Sequence, residues 1–117
     1  MEDGILFAVY GDLDITLEIA EEAVESRHVF TKGKSYPLVA DISQVASITK
    51  EARLYFSSDV AVKGITAGAL LVNSAFSTFI GNFFLSVTDP NPFPSRLFRD
   101  RASAIKWLQK FKELEGY

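Results

Sequence analysis

The stretch Tyr36-Pro37-Leu38-Val39-Ala40-Asp41-Ile42-Ser43-Gln44-Val45-Ala46-Ser47-Ile48-Thr49-Lys50-Glu51-Ala52 decides how the chain is read. Its first half is a short continuous apolar run of strand length, which suits a strand covered on both faces. Its second half turns polar and then enters helix-forming Lys-Glu-Ala. A strand that hands the chain through a polar turn into a helix is the repeating unit of an open α/β sheet. Such a junction lies at the carboxyl edge of the strands, where the fold leaves a crevice. Asp41, Ser43, Ser47 and Thr49 are therefore candidate binding residues, and the segment from Asp41 to Thr49 is expected to floor the main polar crevice.

Upstream, Ile5 to Tyr10 is a second apolar run, closed by Gly11-Asp12, and reads as a core strand. Asp3-Gly4 is a dipeptide that hairpins favour, yet only Met1 and Glu2 precede it. Two readings fit: a strand upstream of Met1, or a frayed polar terminus. Thr16 then offers an N-cap, with Glu18 in the first turn where the helix dipole favours an anion. Ile19, Ala20, Ala23, Val24, Arg27 and Phe30 recur at steps of three and four, the spacing of one inward face. Glu18, Glu21, Glu22 and Glu25 form the outer face, and Lys32-Gly33 ends the helix. His28, the only histidine, lies in the last turn of a chain without cysteine, so it is read as structural rather than as a metal ligand.

Downstream, Thr49 caps a second helix with Ala52, Tyr55 and Phe56 inward, Ser58-Asp59 interrupts it, and a short turn from Val60 to Lys63 ends at Gly64. Ala67 to Val72 is the next core strand, with Gly68 marking a close approach. Asn73-Ser74 then repeats the arrangement of Ser47 and Thr49. Two helix N-termini side by side attract anions; the same residue types are also the ordinary caps.

The third helix, about Ala75 to Val87, carries Phe76, Phe79, Ile80, Phe83, Phe84 and Val87 on one stripe. At about 100° per residue that stripe is about 140° wide. Each such side chain hidden from water contributes about 1.5–3 kcal/mol, so the stripe is expected to meet the sheet, a ligand or a second chain. Leu85 projects opposite it. Thr88 to Ser95 holds three of the four prolines and reads as an extended loop. Leu97-Phe98 is a short strand, and Asp100 caps a last helix with Ala104, Trp107, Leu108, Phe111 and Leu114 on one face. Lys106, Lys110 and Lys112 lie outside that face.

Composition narrows the function. At 117 residues and 48% hydrophobic, the chain fits one domain over residues 1–117. A net charge of -3 with interspersed signs provides no basic field for nucleic acid or an anionic membrane. No cysteine means no disulfide, no thiolate nucleophile and no zinc-cysteine site. No apolar run reaches the length of a membrane span, and a cytoplasmic location is expected. No cofactor motif is present. General-base chemistry would rest on Asp41 or Glu51 alone, so the chain is not expected to be an enzyme.

Strand followed by helix, four times over, argues for an α/β fold with a small, mainly parallel or mixed sheet of about four strands and covering helices. The run from Val39 to Ala52 resembles the strand-to-helix segment of STAS domains, the sporulation anti-sigma-factor-antagonist (SpoIIAA-like) fold. Pro94-Ser95-Arg96-Leu97-Phe98, with Ala104 and Trp107-Leu108, is similar to the carboxyl end of uncharacterised bacterial proteins near that fold, so the resemblance spans about Ile5 to Phe111. It implies a non-enzymatic regulatory or protein-interaction module, or, as in some relatives, a binding domain for a small apolar ligand or lipid. In antagonists that are phosphorylated, the acceptor serine opens the second helix after an acidic residue. Here Glu51 takes its place and Thr49 that of the acid, while Ser43 matches a common residue of the segment. The candidate binding set is thus Asp41, Ser43, Ser47, Thr49, Glu51, Asn73 and Ser74. A homodimer is expected, through Phe76, Phe79, Phe83 and Phe84 or through the edge of the strand from Ile5 to Tyr10.

Overall fold

The computed structural model describes residues 4–87 and 93–115; the side chains of Phe84, Ser86 and Val87, and those beyond Lys110, are not part of that description. In chain order the elements are β1 (Leu6–Val9), β2 (Asp14–Ile15), α1 (Leu17–Thr31), β3 (Tyr36–Asp41), β4 (Ser47–Ile48), α2 (Lys50–Phe56), α3 (Asp59–Val62), β5 (Ile65–Leu71), α4 (Ala75–Val87), β6 (Ser95–Phe98) and α5 (Arg101–Glu115). Four strands make one sheet in the order β1-β3-β5-β6, every neighbouring pair parallel. The two long apolar runs, β3 and β5, are its central strands, as their composition requires. The tiny strands β2 and β4 pair separately, Asp14 beside Ser47 and Ile15 beside Ile48, and so tie the turn after β1 to the turn after β3.

Helix boundaries follow the capping residues. Thr16 accepts a hydrogen bond from the Ile19 amide at the start of α1. Lys32 in the left-handed region (φ 51°) ends that helix, followed by Gly33. Thr49 and Ser58 cap α2 and α3 through the amides of Ala52 and Ala61. Asp100 caps α5 through the Ser103 amide at 2.8 Å.

Alternation along the strands splits the interior into two cores. Ile5, Val39, Ala67 and Ala69 face one way and meet Ala104 and Leu108 of α5, with Phe98 against Trp107 at 5.5 Å between ring centres. The opposite face meets α1, α2 and α4 through Ile15, Ala20, Ile42, Val45, Ala52, Val72 and Ile80.

The helices depart from expectation at Phe30 and Leu85, and of the three partners expected for the phenylalanine stripe of α4 the sheet is removed for Phe76 and Phe79. Phe30, at the end of the inward spacing of α1, is 58% exposed, while Thr31 is buried. On α4 the inward residues are Ser77, Ile80 and Gly81, whereas Phe76 and Phe79 are 43% and 59% exposed. The cause is close approach. A β-carbon at Gly81 would stand 2.5 Å from Leu97 Cδ2, so the small face of α4, rather than its phenylalanine stripe, is pressed against β6. Leu85, expected to project outward, is half-buried and faces the interior cavity described below. The loop readings at 88–92 and the inward placement of Phe84, Phe111 and Leu114 lie outside the described residues.

Candidate functional site

The polar residues after β3 are occupied with one another. One Asp41 carboxylate oxygen accepts from the Ser43 amide at 3.0 Å and from the Ser43 hydroxyl at 2.6 Å, closing the turn. The Ser47 hydroxyl donates to Asp14 at 2.6 Å across the β2–β4 pair. Thr49 is the cap of α2, and Glu51 stands exposed in its first turn. Asp41 with Ser43, Ser47 with Asp14, and Thr49 are thus three separate small devices.

At the start of α4, Ser74 and Ser77 form a reciprocal box. The Ser77 amide donates to Ser74 Oγ at 3.0 Å, and Ser77 Oγ accepts from the amides of Asn73 and Ser74, each at 3.0 Å. Asn73 and Ser74 are exposed, while Ser77 is 1% exposed and carries the buried half of the cap.

An apolar cavity of about 150 Å³ lies on the face of the sheet opposite α5, beneath α1 to α4. The segment after β3 borders it through its apolar alternates, Ile42, Val45 and Ile48, so where the sequence reading expects a polar crevice the structure has an apolar one. Register explains the hollow. Ala8 stands beside Ala40 and Ala40 beside Leu70, while Leu38 stands beside Gly68, so small side chains fall in adjacent rows of three strands. Above them, α1 and α3 contribute Ala23 and Ala61. Central-strand residues that are normally sealed, Leu38 and Leu70 among them, remain half-buried. Phe93 occupies the place of a side chain over Gly68 and, with Leu85, walls one side.

Beside the hydroxyls of Ser57 and Ser95, two ionisable side chains enter this apolar lining. Arg27, from the inward face of α1, donates through Nη2 to the carbonyl oxygens of Ala61 and, at 3.2 Å, Lys63. Burial lowers its pKa, partly countered by the nearby phenols of Tyr10 and Tyr55. Tyr10, just past β1, packs edge-on against Phe56 at 6.0 Å between ring centres. Burial raises its pKa, opposed by the charge of Arg27. The sequence did carry a signal for Arg27, a charge on an otherwise apolar helical stripe. Tyr10 and Asp14 had none beyond their places at strand ends.

His28 lies outside the cavity, its Nε2 hydrogen donated to the Val60 carbonyl at 2.7 Å, which fixes α1 against α3. No group of three or more potential metal ligands occurs among the described residues. Among them, no helix is long and apolar enough to cross a membrane.

None of the curated proteins matches this chain. Among solved structures, the fold is similar to that of an uncharacterised protein of the DUF3478 family with a SpoIIAA-like fold from Shewanella loihica PV-4. The TM-score is 0.60 at 14% identity, covering 92% of this chain and 87% of that one. At that identity the likeness is one of architecture, and the architecture here is SpoIIAA-like, as the resemblance of the segment from Val39 to Ala52 implies. Residues 1–112 match a family described as a domain of unknown function, DUF7793, and the chain belongs to that family.

Proposed function

We propose that this chain is a binding domain for a small apolar ligand, held between the sheet and helices α1 to α4, and that it works by binding rather than by catalysis. The hollow in the face of the sheet carries this reading: three neighbouring strands present small residues in adjacent rows under a cavity of about 150 Å³ that the helices do not fill. Concave, mostly apolar sites with few polar groups are what small-molecule recognition uses. The ionisable groups that line the cavity, Tyr10 and Arg27, support the non-catalytic side of the proposal. A phenol whose pKa is raised from 10.0 and a guanidinium exchange no proton near neutrality. A ligand that binds only the folded state raises the melting temperature with its concentration. Toluene is a suitable probe: it should raise the melting temperature of the wild type and not that of Ala23→Leu, in which the added side chain occupies the hollow. No stabilisation of the wild type would defeat the reading.

A second reading, an interaction module that self-associates through α4, is favoured by the exposure of Phe76 and Phe79. Phe83 belongs to the same helix but lies half-buried, with the guanidinium of Arg53 4.7 Å from its ring centre. The exposed pair therefore leads this surface, and a cyclic dimer is the commonest way for one patch to be covered by its own copy. The edge of β1, where Val9 is 69% exposed, is another surface open to a second chain.

A further inference from the structure

The two ionisable groups in the cavity, Arg27 and Tyr10, are incompletely partnered among the described residues, and that determines what a ligand there should carry. A guanidinium has five N–H donors in a planar fork. Arg27 uses only Nη2, on two backbone carbonyls, and no carboxylate pairs with it among the described residues. The Tyr10 hydroxyl likewise has no hydrogen-bond partner among them. Both line the same apolar cavity, close enough for the charge of Arg27 to act on the phenol.

A partly desolvated cation in a cavity also lined by Ile15, Phe56, Val62 and Ile65 is costly unless an anion compensates it. Backbone carbonyls offer only partial charge, whereas a carboxylate accepts in the plane of the fork with short, charge-assisted bonds. The volume limits the rest of the molecule. An engineered apolar cavity of roughly 150 Å³ holds one benzene molecule, which argues for a compact body and against a long acyl chain.

Resting on the ligand-binding reading above, we propose that the cavity takes a compact apolar monoanion, a carboxylate on a body about the size of one aromatic ring. Its charge sits on Arg27, and the Tyr10 hydroxyl donates a second hydrogen bond. The anion adds no covalent step: it replaces the water that otherwise solvates the free edge of the guanidinium. Ala61 and Lys63 hold that guanidinium in place through their carbonyls.

The test compares three probes by titration calorimetry near neutral pH, with amide NMR shifts at Ala40, Gly68 and Leu70 to locate binding. Phenylacetate should bind at least roughly tenfold more tightly than the neutral isostere phenylacetamide, because one carries the charge the fork accepts. Tyr10→Phe, which removes a hydroxyl with no partner among the described residues, should weaken phenylacetate several-fold and leave toluene unchanged. Arg27→Met should erase the preference for the anion. If toluene binds and phenylacetate is no tighter than its amide, the anionic assignment is overturned while the cavity remains a ligand site. If none of the three binds, both the assignment and the reading beneath it fall. Should Arg27→Met fail to fold, the wild-type comparison and Tyr10→Phe decide the matter without it.

Discussion

The ring of Phe93 lies over the backbone of Gly68, its Cε1 3.0 Å from where a β-carbon at that position would stand. The glycine in β5 is therefore spatial rather than conformational, because the space its side chain would need belongs to the ring. Gly68→Ala should cost about 1 kcal/mol, since even one methyl group overpacks such a contact. In a Phe93→Ala background the same change should be neutral within about 0.5 kcal/mol, a coupling that a double-mutant cycle in urea would read directly. An unchanged cost in that background would mean that something other than Phe93 limits the site.

Ser77 carries the buried side of the α4 cap, accepting from two backbone amides. Ser77→Ala leaves those donors without their acceptor and should lower stability by about 1–3 kcal/mol. Ser74→Ala, at an exposed position, should cost less, about 1 kcal/mol. Denaturant midpoints for the two variants rank the two halves of the box. The reverse order would assign the cap to the exposed serine.

Acid should loosen α5 from its first turn. The Ser103 amide and hydroxyl hold the Asp100 carboxyl below its ordinary value of 3.8. A group whose folded pKa is depressed contributes stability above its unfolded pKa and loses it as the pH falls through the folded one. The contribution of Asp100 should therefore be complete above the ordinary carboxylate range and fade below it. Asp100→Asn keeps a capping acceptor without the titration, so its helicity should change less between about pH 5 and about pH 2 than that of the wild type. Circular dichroism over that range checks the difference.

The exposed phenylalanines of α4 set an expectation for mass in solution. If α4 is a seam, light scattering at micromolar concentration gives about twice the 13.0 kDa chain mass, and Phe79→Asp returns it to that of one chain. Because Phe79 is 59% exposed, the substitution should leave the unfolding free energy within about 0.5 kcal/mol. A dimer indifferent to Phe79→Asp would move the contact to the edge of β1, and a wild-type monomer would remove the self-association reading altogether.

Sequence patterns carried the architecture further than the site. Ile5 to Tyr10, Tyr36 to Ile42 and Ala67 to Val72 are continuous apolar runs, and such runs become parallel strands because a doubly covered sheet hides both of their sides. Thr16, Thr49 and Asp100 mark helix starts because capping is local chemistry, whereas Ser58, read as an interruption, caps α3. The orientation of α4 was not legible. Its pattern maximises hydrophobicity along the phenylalanines, but the helix docks by its small residues, and the fit of Gly81 to Leu97 depends on a strand that follows in the chain. The cavity was illegible for a related reason. It arises from Ala8 standing beside Ala40 with Gly68 in the adjacent row of the next strand, a relation between distant segments rather than a property of any one of them.

The order of strands across the sheet, β1-β3-β5-β6, is also their order along the chain, and this gives the domain a direction in time. A ribosome adds about 5–20 residues each second, so every strand emerges to find its predecessor already at the open edge, with no later segment to be inserted between them. The growing sheet is a template extended from one side. Its rear face, with Val39, Ala67 and Ala69, stays uncovered until α5 arrives with Ala104 and Leu108. Completion of this core therefore waits on α5, and a chain halted after β6 would present an apolar slab to the cell.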